Sequence, residues 1–217
     1  MPPSDEHQQF DYGAFTARDA DEMAQLLGEA FSRRDPLAMA VGVTPSEFAA
    51  LVRLFCPKAA EEGLTIVARR RGTRELVGAL LTEDSASAPP DGLDRLSPKF
   101  DPVFDLLGQL DAEYRAGRAL LPGESLHLFL LGVAESVAGQ GVAQQLVSNC
   151  LEHGARKGYR LAVTEASNLV SQHIFRKRGF VERVRRSYGD HRFNGQAVFA
   201  SIAEQGGPSL IDKRLAV

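Results

Sequence analysis

Hydrophobic and polar positions along the chain fall into blocks with two different periods. Residues 126–133 form an almost unbroken apolar run, which predicts a buried strand; after it Val142, Leu146 and Cys150 recur every fourth residue, the spacing of a helix face. Nearer the start, Ala20, Met23, Leu27, Ala30 and Phe31 make one stripe and predict a helix over 19–31. Arg33, Arg34, Asp35 and Pro36 end it, because proline disfavours helix at the preceding residue. Thr44 and Pro45 open a second helix, threonine as N-cap and proline in the first turn, that stops near Phe55 ahead of Pro57. Its face of Phe48, Leu51, Val52 and Phe55 suits core or pocket wall. Residues 64–69 and 76–82 read as a strand pair turned at Gly72, with alternation imperfect enough for a sheet covered on both faces. The polar stretch 83–98, carrying Pro89, Pro90 and Gly92, is expected to be a mobile flap.

Helix returns over 100–115, with Phe104, Leu107 and Leu110 in register. Lys157 and Gly158 close the helix that began at Val142. A strand over 159–164 and a helix over 168–178 follow, with Ser167 or Asn168 as N-cap. The last two strands are placed at 180–187 and 196–203, joined through the hairpin signal Asn194-Gly195. A short edge strand over 10–15 completes an α/β layered order in one domain.

Composition narrows the class. The chain has 217 residues, 44% hydrophobic and 24% charged, with net charge −3, so no excess of positive charge points to nucleic acid. Cys56 and Cys150 lie in apolar helical patterns, where buried free thiols are expected. The first residues lack a basic region followed by an apolar one, so no secretory signal is expected, and residues 1–9 are expected to be flexible. No run of apolar residues is long enough for a membrane span, and the expected location is cytoplasmic.

Candidate chemistry centres on Ala138-Gly139-Gln140-Gly141-Val142-Ala143, a strand-to-helix turn of small residues. Such a turn lets backbone N–H groups converge at the positive end of a helix, a place suited to a phosphate. A P-loop would need lysine followed by serine or threonine, where Ala143 and Gln144 stand. A dinucleotide fingerprint would need a third glycine, where Gln144 stands.

The turn resembles that of the GCN5-related N-acetyltransferase (GNAT) superfamily, Arg/Gln-x-x-Gly-x-Gly/Ala, with Ala138 departing at the first position. A second motif, Asn168 to Phe180 with Ser171, Phe175 and the Gly179-Phe180 pair, is similar to the same family. Glu29-Ala30-Phe31, Asp35-Pro36-Leu37, the run from Gly63 to Ala68, and Gly195 with Val198-Phe199 resemble the arylalkylamine N-acetyltransferase branch. The resemblance implies a GNAT fold: α/β (α+β), a central mixed, mostly antiparallel sheet with splayed central strands flanked by helices. It also implies acetyl-CoA as co-substrate, no metal, and direct transfer to a primary amine, arylalkylamine- or polyamine-like.

On that resemblance the thioester arm lies along Leu131, Gly132 and Val133. The diphosphate rests on Gly139, Gln140, Gly141, Val142, Ala143 and Gln144. Asn168, Ser171, Phe175 and Arg178 complete the cofactor side. Glu29 is the implied base, although helix periodicity puts it with Glu22 and Gln25 on a solvated side. His127 is the alternative base, on one face with Phe129, Leu131 and Val133, or else a hydrogen-bonded core histidine. Many relatives place a proton-donating tyrosine where Phe175 stands; Ser171, one turn away, either supplies a hydroxyl instead or is simply a small packing residue. Two other readings remain: an acyl-CoA-binding module without catalysis, and a peptide or protein N-acetyltransferase. No aromatic cage is visible for the acceptor. The tail 206–217 is a candidate for pairing two subunits in a homodimer.

Overall fold

The computed structural model describes residues 9–216. Residues 1–8, expected to be flexible, and residue 217 lie outside the described residues. Among the described residues the strands are β1 (Phe10–Ala14), β2 (Ile66–Arg70), β3 (Leu76–Asp84), β4 (Ser125–Val133), β5 (Leu161–Ala166), β6 (Val181–Arg185) and β7 (Ser209–Arg214). The α-helices are α1 (Ala20–Arg34), α2 (Pro36–Ala40), α3 (Pro45–Glu62), α4 (Asp101–Arg115), α5 (Val142–Arg156) and α6 (Leu169–Lys177). The strands form one sheet in the order β1-β2-β3-β4-β5-β7-β6. Each neighbouring pair is antiparallel except β4 and β5, which run parallel.

Both faces of the sheet are covered, which is why the strands read as apolar runs and not as clean alternation. On one face Val142, Leu146 and Cys150 of α5 and Ile174 of α6 pack on Ile66, Leu80, Leu126 and Ala162. On the other, Met23 and Leu27 of α1 and Phe48, Val52 and Phe55 of α3 pack on Val67, Ala79, Leu81 and Leu130. Gly132 sits under α1: a Cβ there would meet the Leu27 side chain at 2.6 Å and Ala30 Cβ at 3.3 Å. That missing side chain lets the end of α1 approach β4.

Several expectations need correction. Helix α3 does not stop before Pro57 but continues to Glu62. Proline removes the N–H that would bond the Arg53 carbonyl, yet Arg53 and Pro57 are exposed, while Phe55, Cys56 and Ala59 anchor the helix on both sides. The last strand is not 196–203. Asn194 and Gly195 do turn with positive φ, closing an isolated bridge from Phe193 to Gln196. Beyond it Phe199 and Ile202, three apart, suit the 3-10 helix Ala200–Gln205 and pack with Tyr188 and Leu37.

The seventh strand comes instead from the tail, which inserts between β5 and β6 and buries Leu210 on one face and Ile211 on the other. Residues 209–214 of the tail are thus part of their own sheet. Residues 83–98 do not cover either of the two cavities described below. Lys58 Nζ bonds the Ala88 carbonyl at 3.0 Å, Ser85 and Ser125 hydroxyls meet at 3.1 Å, Ser87 bonds Glu62 at 2.5 Å, and Leu93 and Leu96 pack beside α3.

Candidate active site

The parallel pairing of β4 with β5 ends at His127 and Val163, although β4 runs on to Val133 and β5 to Ala166. Beyond that point the strands diverge, and the β4 backbone groups facing β5 have no ladder partner. A cavity of about 490 Å³ opens there. Leu131, Gly132, Val133, Ala143, Asn168 and Ser171, all expected on the cofactor side, line it together with Phe31, Arg34 and Asp35 from the end of α1. The Arg34 guanidinium donates to the Val133 carbonyl, one of the open-edge groups.

At the glycine turn, φ is +76° at Gly139 and +79° at Gly141, values that favour glycine, and Gly141 is the N-cap of α5. The first-turn amides of α5, Val142 to Gln144, have no acceptor within the helix. The Gln140 side chain folds back onto the Ser136 carbonyl at 3.1 Å, and the Val142 side chain is core. Gln144 is half-buried beside them.

Asn168 is the N-cap of α6 in a reciprocal arrangement with Ser171. Ser171 N–H donates to Asn168 Oδ1 at 2.8 Å, and Ser171 Oγ donates to the Asn168 carbonyl at 2.9 Å. Ser171 therefore caps the helix and also faces the cavity. Phe175 turns into the core, edge-on to Phe180 with ring centroids 5.0 Å apart, and does not line the cavity. Arg178 stands at the end of α6 with its Nε buried and without a hydrogen-bond partner.

The two base candidates separate. Glu29 lies in an outer groove with Glu22, Gln25 and Glu135, paired to Arg33 at 2.9 Å, and lines neither this cavity nor the chamber beside it. His127 does not share a face with Leu131 and Val133. Phe129 is an unpaired residue between the pairs Leu81 with Leu130 and Thr82 with Leu128, a β-bulge that reverses the side-chain alternation. His127 is held between carboxylates: Nδ1 is 2.9 Å from Glu83 Oε1 and Nε2 is 2.7 Å from Glu165 Oε2. Burial alone would pull its pKa down, but the charges and hydrogen bonds of Glu165 and Glu83 push it up to about 10. With both nitrogens at hydrogen-bond distance from carboxylates, the imidazole offers no lone pair toward the cavity.

A carboxylate overlooked in the sequence stands at the cavity instead. Asp35 is 7% exposed, accepts Ala38 N–H at 3.1 Å as N-cap of α2, and accepts the Ser167 hydroxyl on its other oxygen. Tyr188, buried behind it, donates to the Ser167 carbonyl. Burial raises the Asp35 carboxyl above its ordinary 3.8, and hydrogen bonds from Ser167, Ala38, Leu37 and Asn168 hold back part of the rise. Asp35 and Phe31 also line a second chamber of about 60 Å³ walled by Phe48, Phe100, Phe104 and Phe129. The sequence did carry a signal for Asp35, an N-cap aspartate followed by proline at N1, which reads equally well as the end of α1.

A divergent parallel strand pair, a glycine turn opening the helix after it, and a capped helix crossing the gap define the GNAT fold. The model of the Acetyltransferase (GNAT) family matches residues 106–180, from within α4 through the Gly179-Phe180 pair, and the chain as a whole has the GNAT fold. Among solved structures it is similar to the C-terminal condensation domain of Ebony in complex with beta-alanyl-dopamine, at 14% identity over 95% of this chain and 99% of that one, TM-score 0.87. It is similar to arylalkylamine N-acetyltransferase 2 from Aedes aegypti at 18% identity, over 96% of this chain and 100% of that one, TM-score 0.82. The polyamine N-acetyltransferase of Drosophila melanogaster, an enzyme forming N-acetylagmatine, matches at 18% identity over 95% of this chain and all of that one, TM-score 0.77.

Proposed function

We propose that this protein is an acyl-CoA-dependent N-acetyltransferase that moves an acetyl group from acetyl-CoA directly to a small primary amine. The observation that carries the reading is the position of Asp35, a buried carboxylate in the lining shared by the strand-gap cavity and the aromatic chamber. Acetyl-CoA enters the gap with its diphosphate at the α5 amides and its thioester along Leu131 to Val133. The amine occupies the chamber side. Asp35 takes a proton from the ammonium or from the attacking nitrogen, and a carboxylate whose pKa is raised toward working pH suits that task. Open-edge amides of β4 hold the oxyanion, and the two sites together fix the reactants in line.

Thiolate departure does not require a phenol at position 175. An alkyl thiol has a pKa of about 8.5, so the thiolate leaves readily, and Ser171 in the cavity wall supplies a hydroxyl near its path. The small aromatic chamber favours small amines over a peptide chain. Among the described residues no helix is long and apolar enough to cross a membrane; a cytoplasmic location, where acetyl-CoA is at hand, belongs to the same reading.

Calorimetry with acetyl-CoA, followed by thiol release across a panel of small amines and peptides, tests it. Saturable binding with amine-dependent thiol release is expected. Binding without turnover on any amine would leave a CoA-binding module, and turnover on peptides alone would overturn the acceptor assignment.

A further inference from the structure

The acceptor chamber has two carboxylates in its wall, Asp35 and Glu165, set among phenylalanines. Only the first is accounted for by proton transfer. Glu165 stands on β5 with 11% of its side chain exposed, in contact with His127, whose opposite nitrogen meets Glu83. Glu83 in turn pairs with Lys58 Nζ at 2.7 Å, and Lys58 is 4.0 Å from Glu62. A carboxylate only accepts, so an imidazole with carboxylates at hydrogen-bond distance from both nitrogens must carry a proton on each. From Glu165 to Lys58 the charges alternate, −1, +1, −1, +1, and cancel. Arg115 adds a further positive influence on Glu165.

We propose, building on the acetyltransferase reading, that His127 sets acceptor specificity through Glu165. By neutralising that carboxylate, it makes the chamber accept amines with an uncharged tail and exclude diamines and guanidino amines. A cationic tail entering an apolar chamber must shed its water, and the loss is recovered only by an anion free to pair with it. Glu165 is not free, since its 2.7 Å partner already holds it. The phenylalanine faces offer cation–π attraction, but they greet an uncharged ring equally well. His127 is thus a positioning residue that touches neither reactant.

The test is the ratio of dissociation constants for agmatine and phenethylamine, measured by calorimetry on CoA-loaded protein. Phenethylamine should bind at least tenfold more tightly to the natural chain. In His127→Gln the ratio should narrow at least tenfold, chiefly through tighter agmatine, because Glu165 is then unmasked. Adding Glu165→Gln should restore the original ratio, which a purely structural role for His127 would not do. Equal or tighter agmatine binding to the natural chain, or an unchanged ratio in a cooperatively melting His127→Gln protein, overturns the proposal. Should His127→Gln not fold, Glu165→Gln alone must weaken agmatine further while leaving phenethylamine within threefold; an unchanged ratio overturns the proposal equally. The readout is binding, so intact selectivity without acetyl transfer sinks the enzyme reading alone, and turnover without selectivity sinks this inference alone.

Discussion

Asp35 and His127 show how the same element of chemistry is decided by neighbours. Asp35 has hydrogen-bond donors but no cation in contact, and burial leaves its proton affinity raised. As a base it works only when ionised, so kcat/KM should fall as pH drops through that raised pKa. Asp35→Asn should lower kcat by about 10²–10⁴-fold with CoA affinity unchanged, measured by thiol release and calorimetry; a smaller loss would return the role to Glu29. His127 is the opposite case. Its ordinary value of 6.5 is raised to about 10, so its stabilisation is complete below about pH 6.5 and is lost as pH rises toward 10. Glu83 and Glu165 are depressed below 4.5, because the bonds and charges of His127 outweigh burial, and their contribution is lost as pH falls below that value. The group supports the fold best between about 4.5 and 6.5. His127→Gln should therefore flatten the decline of Tm between pH 6.5 and 10, and an unaltered alkaline slope in thermal melts would contradict the ion triad.

At the scale of elements, the glycine turn and the β4 bulge place the site. Gly141 holds φ at +79° as the N-cap of α5, a conformation that costs a β-branched residue about 1–2 kcal/mol. Gly141→Val should accordingly lower Tm and raise the Kd for CoA by more than tenfold, the second effect coming from side-chain bulk among the amides. Affinity retained in a calorimetric titration would put the diphosphate elsewhere. The bulge at Phe129 was not legible, because an unbroken apolar run gives no sign of where alternation reverses. It carries Phe129 and Leu130 toward α3 and α4 and leaves Leu131 and Val133 in the gap, and the aromatic wall follows from it. Helix caps were more readable: Thr44 and Asn168 cap α3 and α6 through bonds among residues three apart in the chain.

For the whole molecule, the sheet depends on a strand that closes it from the far end of the chain. Removing residues 208–217 takes β7 from between β5 and β6, deletes the buried Leu210 and Ile211 from the two cores they fill, and leaves Tyr114 without its partner Asp212 at 2.8 Å. Truncation there should abolish cooperative unfolding in circular dichroism; a melting, monomeric truncated protein would show the tail to be dispensable. That strand was invisible beforehand because its few apolar residues sit among charges and pair only with distant segments. The glycine turn, the capped helices, the apolar central strand and the family likeness were determined by the sequence alone, since each rests on bonds or periodicity spanning a few residues. Tertiary structure alone decided which acids are buried at the cavity, why His127 lies between two carboxylates, and where the aromatic chamber lies. Those properties depend on burial and charge contributed by β3, β4, β5, α1 and α4, segments that only folding brings together.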